Sequence, residues 1–206
     1  MYLKSLSAGV LFALLTTASA WAALPAKQVL TSGQHCVAWR TAKTLAMVKR
    51  AEAIGTNCSI TVQASSAGGG KYQAKVIVPI RAFNSQEKDR DKEVLNILKA
   101  NQQPNLEFTT LPLTLDQWKG MLSRGQGAVR GTLKIGGKSY PVNSVAKVRK
   151  SGGNIEVYGV VKTKFTSLGI PAPQVGPGGS IAKVDDELEL HYNLVSSKVQ
   201  NFNIVK

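Results

Sequence analysis

The chain has 206 residues, of which 43% are hydrophobic, and its 26 Lys and Arg against 12 Asp and Glu give a formal charge of +14. A chain of this length supports one domain and leaves little for a second core. No apolar run reaches the ~18 residues that a membrane-spanning helix needs.

The N-terminus reads as a targeting segment. Lys4 supplies a positive start, Leu6 to Leu15 is an apolar run, and Ala18-Ser19-Ala20 or Ala20-Trp21-Ala22 offers a cleavage site of small residues. These features predict a cleaved signal peptide over 1–22 and a single domain over 23–206. Loss of Lys4 leaves a charge of +13. Export turns that charge away from nucleic acid and towards anionic lipid head groups, phosphate-bearing ligands or an anionic envelope, with plain solubility as the alternative. In an exported chain the two cysteines, Cys36 and Cys58, read as one disulfide, worth about 3 kcal/mol in the chain-entropy model.

Period-two alternation then dominates. Ile60, Val62 and Ala64 share one face, as do Ala74, Val76, Val78 and Ile80, then Val129, Gly131, Leu133 and Ile135. Near the C-terminus Leu188, Leu190, Tyr192 and Leu194 alternate with Glu187, Glu189, His191 and Asn193. Such patterns mark antiparallel strands with one buried and one wet face. Gly68-Gly69-Gly70, Gly136-Gly137 and Gly152-Gly153 punctuate them as turns. Long strands joined by tight turns predict an up-and-down barrel in preference to a sandwich.

The segment from Ala82 to Pro104 breaks the pattern. Asn84 with Glu87 three positions on has the form of a capping box. Asp91, Val94, Leu95 and Leu98 fall on one helical face, and Pro104 stops the helix. One short inserted helix is therefore expected, placed to cap a barrel mouth. A second irregular piece, Leu168 to Gly179, is rich in Pro and Gly and reads as a rim, a lid or a plain connection.

The pair Arg90-Asp91 with the helix and Pro104-x-x-x-Phe108, the run Thr163-Lys164-Phe165 through Gly169-Ile170-Pro171, and the stretch Val184-Asp185-Asp186-Glu187-Leu188 occur in order. Together they resemble the YceI-like domain, across roughly residues 33–195. The likeness implies a mainly β, antiparallel, up-and-down, lipocalin-like β-barrel of about eight strands with one short inserted helix. It implies a periplasmic protein that carries an isoprenoid (a polyprenyl phosphate or isoprenoid quinone) or a similar long-chain lipid in its interior, without transforming it. The sequence departs from the family in the run from His35 to Ala42 and over Thr44 to Gly55, and its loop after Phe165 is longer.

The residues suit that expectation. An aliphatic inward face of Val62, Val76, Val78, Ile80, Val129 and Leu133, with Leu95 from the helix, offers an alkyl chain burial worth ~25 cal/mol per Å². The same side chains could simply fill the barrel. The small residues Ala64, Ala74, Gly131, Ala146 and Gly159 on this face point to spare room. Trp39, Phe83, Phe108 and Phe165 fall at strand ends, where an amphiphile can be gripped. Arg90 is the best-placed partner of an anionic head group, with pairing to Asp91, Glu93 or a strand residue, which would fix the helix, as the alternative. Outward positions Arg130, Lys134, Lys147, Arg149 and Lys162 form a basic wall suited to peripheral contact with a membrane surface, and a homodimer is left open.

Enzyme signatures are missing from the sequence: it has no Gly-x-Ser-x-Gly, no phosphate-binding glycine loop and no His pair at metal-ligand spacing. His191 is expected at the surface, and His35 beside Cys36 falls short of a metal site. No catalytic residue, metal or cofactor is expected. Two competing readings are a non-catalytic accessory of a quinone or haem redox system and a basic surface binder of anionic envelope components.

Overall fold

The computed structural model describes residues 26–46 and 48–202. The expected signal peptide, 1–22, lies outside these residues. Strands β1 (Cys36–Leu45), β2 (Lys49–Asn57), β3 (Thr61–Gly68) and β4 (Lys71–Pro79) open the fold. Helix α1 (Lys88–Ile97), β5 (Asn105–Thr110), β6 (Leu113–Thr114) and helix α2 (Leu115–Arg124) follow. The chain closes with β7 (Gln126–Ile135), β8 (Lys138–Ser151), β9 (Asn154–Lys164), β10 (Gln174–Val175), β11 (Ala182–Val195) and β12 (Val199–Gln200).

All twelve strands belong to one curled sheet, ordered β12-β3-β4-β5-β7-β8-β9-β11-β1-β2, with β10 on β11 and β6 on β4. Consecutive strands are mostly neighbours, as an up-and-down meander requires. The strand number corrects the expected eight: nine strands have six or more residues, while β6, β10 and β12 have two each. A two-residue strand carries no alternation, so periodicity cannot reveal it. One contact also departs from the antiparallel rule, because β12 runs parallel to β3.

The glycine-pair hairpins fold as expected. Gly136-Gly137 and Gly152-Gly153 all adopt positive φ (55°, 79°, 54° and 77°), which matches the twist of the flanking strands. No ladder joins β2 to β12 among the described residues, so the sheet is a half-barrel with a seam. A patch spans that seam at one place: Thr56 and Asn84 exchange two backbone hydrogen bonds of 2.9 Å, and Asn57 Nδ2 donates to the Pro79 carbonyl at 2.8 Å.

Asn84 therefore does not cap the helix. Its backbone is committed to Thr56 and its Oδ1 accepts from Gln86 N, while Glu87 is the residue that caps α1, accepting from Arg90 N. The single expected helix becomes two. α2 has a full capping box, Thr114 with Gln117, and ends on Gly125 in the left-handed conformation. α1 lies between the end of β4 and the start of β5, whereas α2 precedes β7 and hangs over the start of β4, Trp118 Nε1 donating to the Tyr72 carbonyl at 3.4 Å. The helices thus cover opposite ends of the curl.

The polar face of the β8–β9–β11–β1–β2 region is also covered. Residues 26–35 cross its outside as a strap, which makes the predicted exposure of His191 a further correction: it is buried. Glu156 holds the strap, accepting from Ser32 Oγ and Gly33 N at 2.9 Å each, while Arg149 clamps it from the other side at 2.9 and 2.6 Å. Asn193 Nδ2 reaches the Gln34 carbonyl, and His35 Nδ1 accepts from Val195 N at 3.0 Å. His35 is thus a structural acceptor, and burial lowers its pKa, with Lys198 acting in the same sense. Deeper under the strap the Arg40 guanidinium, 0% exposed, is shared between Glu189 at 2.9 Å and Glu52.

The Cys36–Cys58 disulfide joins β1 to the residue just after β2. Replacing both cysteines by serine is expected to lower stability by about 3 kcal/mol, read as a lower urea midpoint. Reductant should then shift the parent protein but not the variant. A second expectation concerns acid. Burial acts to raise the Glu156 pKa, but hydrogen bonds from Arg149, Ser32 and Gly33 prevail and hold it at about 2, below the ordinary 4.5. The stabilisation is complete above pH 4.5 and drains away as pH falls towards 2, on the order of 3 kcal/mol in all. Urea titrations between pH 5 and 2 should show this slope, and Glu156→Gln should flatten it.

Candidate functional site

The inward face of the curl encloses a cavity of about 890 Å³. Alternation builds its wall: with Arg40, His191 and Glu189 turned outward, Trp39, Leu190 and Leu188 must turn inward. Val62, Val76, Val78, Val129 and Leu133 line it, as do Trp39, Phe83, Phe108 and Phe165, and Arg90 borders it from α1. Ten of the twelve residues singled out by sequence thus surround one hollow.

Two do not. Ile80 is 0% exposed within the 3₁₀ turn Ile80–Ala82, where the chain leaves β4, its N–H bound to the Pro104 carbonyl at 2.9 Å. Leu95 also misses the wall. The apolar residues that face the cavity here are Val94 and Ile97 of α1 and its C-cap Leu98, and Leu95 sits about 100° round from Val94. Ile97 takes the place expected for Leu95.

Arg90 is not a free rim cation. Its guanidinium donates to Glu87 Oε2 at 2.9 Å and to the Ser85 carbonyl at 3.2 Å, so it fixes the entry to α1. Glu87, Asp89 and Glu93 border the cavity beside it. An anionic head at this spot would meet three carboxylates. The basic wall is thinned in the same way: Arg149 stacks over Tyr158 at 4.2 Å and pairs with Glu156, and Lys162 lies 3.9 Å from Glu189.

The small inward residues do less than expected to open space. A Cβ on Gly131 would stand 2.5 Å from the Phe108 ring, and one on Gly159 would stand 2.5 Å from the Tyr192 hydroxyl. Each glycine makes room for an aromatic ring laid against its strand, not for a ligand. Ala146 is fully buried, whereas Ala64 and Ala74 do line the hollow.

Sequence reasoning missed several parts of the lining. Trp118, Met121 and Leu122 of α2 close one end. Their spacing of three and four residues after the Thr114-x-x-Gln117 box was the available signal. Inside, Ser144 Oγ and Tyr192 Oη stand 3.0 Å apart, a hydrogen-bonded polar pair in a mostly apolar wall. Burial raises the Tyr192 pKa, so the phenol stays protonated at neutral pH. His191 borders the cavity too, but its Nε2 is tied to Glu189 at 3.1 Å, and burial lowers its pKa against the pull of that carboxylate. No group of three or more His, Cys, Asp or Glu among the described residues is placed to hold a metal ion.

A half-barrel around an aliphatic hollow, stopped by a helix at each end, defines a lipocalin-like binding fold. The YceI-like domain model matches residues 21–196, and the chain belongs to that family. BcnA of Burkholderia cenocepacia shares the fold at 19% identity and a TM-score of 0.56, over 78% of this chain and 95% of that one. A polyisoprenoid binding domain from Saccharophagus degradans, implicated in plant cell wall breakdown, does so at 13% identity and 0.52, over 77% and 92%. No curated protein matches the sequence.

Proposed function

We propose that this protein is an exported carrier that holds an isoprenoid, such as a polyprenyl phosphate or isoprenoid quinone, or a similar long-chain amphiphile in the curl of its sheet. The observation that carries this reading is the cavity: about 890 Å³, walled by Val, Leu and aromatic side chains, with the Ser144–Tyr192 pair as its internal polar feature. That is the size range of sites for slender organic ligands. Such a wall gives an alkyl chain transfer from water and dispersion, and offers little to orient a polar substrate. The polyisoprenoid binding domain from Saccharophagus degradans supports the ligand class. The disulfide supports an oxidising compartment, in keeping with removal of a leader over 1–22 and a place in the periplasm.

Gentle purification, organic extraction and mass spectrometry test the reading. A stoichiometric prenyl or other long-chain lipid is the expected result. A protein that emerges empty and takes up neither a polyprenyl phosphate nor an isoprenoid quinone would overturn it.

A further inference from the structure

Six large hydrophobic side chains face solvent among the described residues, and three of them belong to two hairpins that touch. Val48, 87% exposed, is at the tip between β1 and β2. Val175, 48% exposed, and Ile181, 61% exposed, flank the connection between β10 and β11. A backbone hydrogen bond joins the two tips, Ala46 N donating to the Ile181 carbonyl at 3.1 Å, and within the β10–β11 hairpin Ile181 N donates to the Val175 carbonyl at 3.0 Å. Directly behind them Leu45 pairs with Ala182 across β1 and β11. Leu45, Val175, Ile181 and Ala182 also line the cavity. The apolar wall of the hollow therefore runs out to solvent at this rim.

Charge surrounds the apolar apex. Lys49 pairs with Leu45, and Thr44 pairs with both Arg50 and Lys183, so three cations stand within two register positions of the tip, with Lys43 one step further in. Asp185 pairs with Arg50 at 3.0 Å and cancels that cation, so the collar is made by Lys49, Lys183 and Lys43, while the neighbouring Asp186 carboxylate accepts from Thr166 Oγ1 at 2.6 Å and Thr166 N at 3.0 Å. The carboxylates Glu87, Asp89 and Glu93 that border the cavity are carried by α1 and its N-cap, not by either hairpin.

An apolar apex within a basic collar matches the interface of an anionic bilayer, where aliphatic tips enter the acyl boundary and lysines meet the head groups. We propose that the paired tips of the β1–β2 and β10–β11 hairpins dock this protein on anionic membranes, and that amphiphiles pass between bilayer and cavity across Val175 and Ile181. The passage half of the proposal rests on the carrier reading; the docking half does not.

The test uses the full chain after leader removal and sedimentation with vesicles of phosphatidylglycerol and phosphatidylcholine, or of phosphatidylcholine alone. Parent protein should bind the anionic vesicles. The double variant Val48→Asp/Ile181→Asp, and separately Lys49→Glu/Lys183→Glu, should bind them at least about tenfold more weakly. Both should keep the parent melting temperature, because the altered side chains are exposed. Transfer of a polyprenyl phosphate from vesicles should slow in step, while uptake of the same lipid from detergent dispersion should not change in Lys49→Glu/Lys183→Glu, whose altered side chains lie off the cavity wall. A parent that docks and is weakened by these substitutions, yet takes up no lipid from either source, upholds docking and removes the carrier reading. A parent that ignores anionic vesicles, or variants that bind like the parent, would overturn the proposal. So would a dimer that the tip variants dissociate and that shows no vesicle binding, since the patch would then join two copies of the chain.

Discussion

Arg40→Met is expected to lower stability by about 3 kcal/mol, the cost of leaving the buried Glu189 and the half-buried Glu52 without their shared cation. Arg40 is enclosed under the strap, and its two guanidinium arms reach Glu189 and Glu52. These contacts raise the Arg40 pKa and lower that of Glu52, the Glu52 hydrogen bond contributing most, with Lys27 adding to the effect on Glu52 from the strap. Removing the cation removes the main cause that lowers the Glu52 pKa, so Glu52 takes up a proton more readily. The deficit should therefore be largest at neutral pH and shrink as the solution is made acidic. Urea unfolding at pH 7 and pH 5 measures both parts. The double variant Arg40→Met/Glu189→Gln should recover part of the loss. A single variant within 1 kcal/mol of the parent at pH 7 would show that the cluster does not hold this face of the sheet.

Ala74→Trp is expected to weaken lipid uptake by at least about tenfold, because displacing roughly 55 Å² of prenyl surface from the wall forfeits ~1.4 kcal/mol. Ala74 stands opposite Ala64 on β3, and both line the cavity, so an indole at this position points into the hollow. Thr132→Trp places the same ring on the exposed face of β7 and should leave uptake unchanged. Gly131→Phe is unsuitable for this purpose, since even a Cβ there meets the Thr109 carbonyl at 2.4 Å and the fold would be tested instead of the site. A folded Ala74→Trp protein that binds a polyprenyl phosphate as the parent does would place the ligand elsewhere.

The long strands, the glycine hairpins, the disulfide and the existence of α1 were legible because each has a local cause: a period of two, a positive φ, a pair of cysteines in an exported chain, a helical stripe stopped by Pro104. Five wall residues, Val62, Val76, Val78, Val129 and Leu133, follow from the period alone. What escaped was set by contacts distant in sequence. Alternation marks Glu189, His191 and Asn193 as polar-facing, but nothing local says that residues 26–35 fold back to bury them. Arg90 stands near a mouth in the sequence pattern, but the Ser85 carbonyl that takes it lies in a turn whose course depends on Asn84 meeting Thr56. α2 was overlooked although its capping box is explicit, because Gly120 and a short apolar stripe weaken the helical pattern between Thr114 and Gly125.

The aromatic rings laid over glycines have a consequence for how such a hollow changes its fit. Trp39 lies against Gly55, where a Cβ would sit 2.4 Å from the indole, much as Phe108 lies against Gly131 and Tyr192 against Gly159. The ring is a panel of the wall and the glycine behind it sets how far back it lies. One methyl group at position 55 would push the indole inward and narrow the bore, although a ligand need never touch residue 55. The gauge of the cavity is thus adjustable from behind its own lining, one carbon at a time.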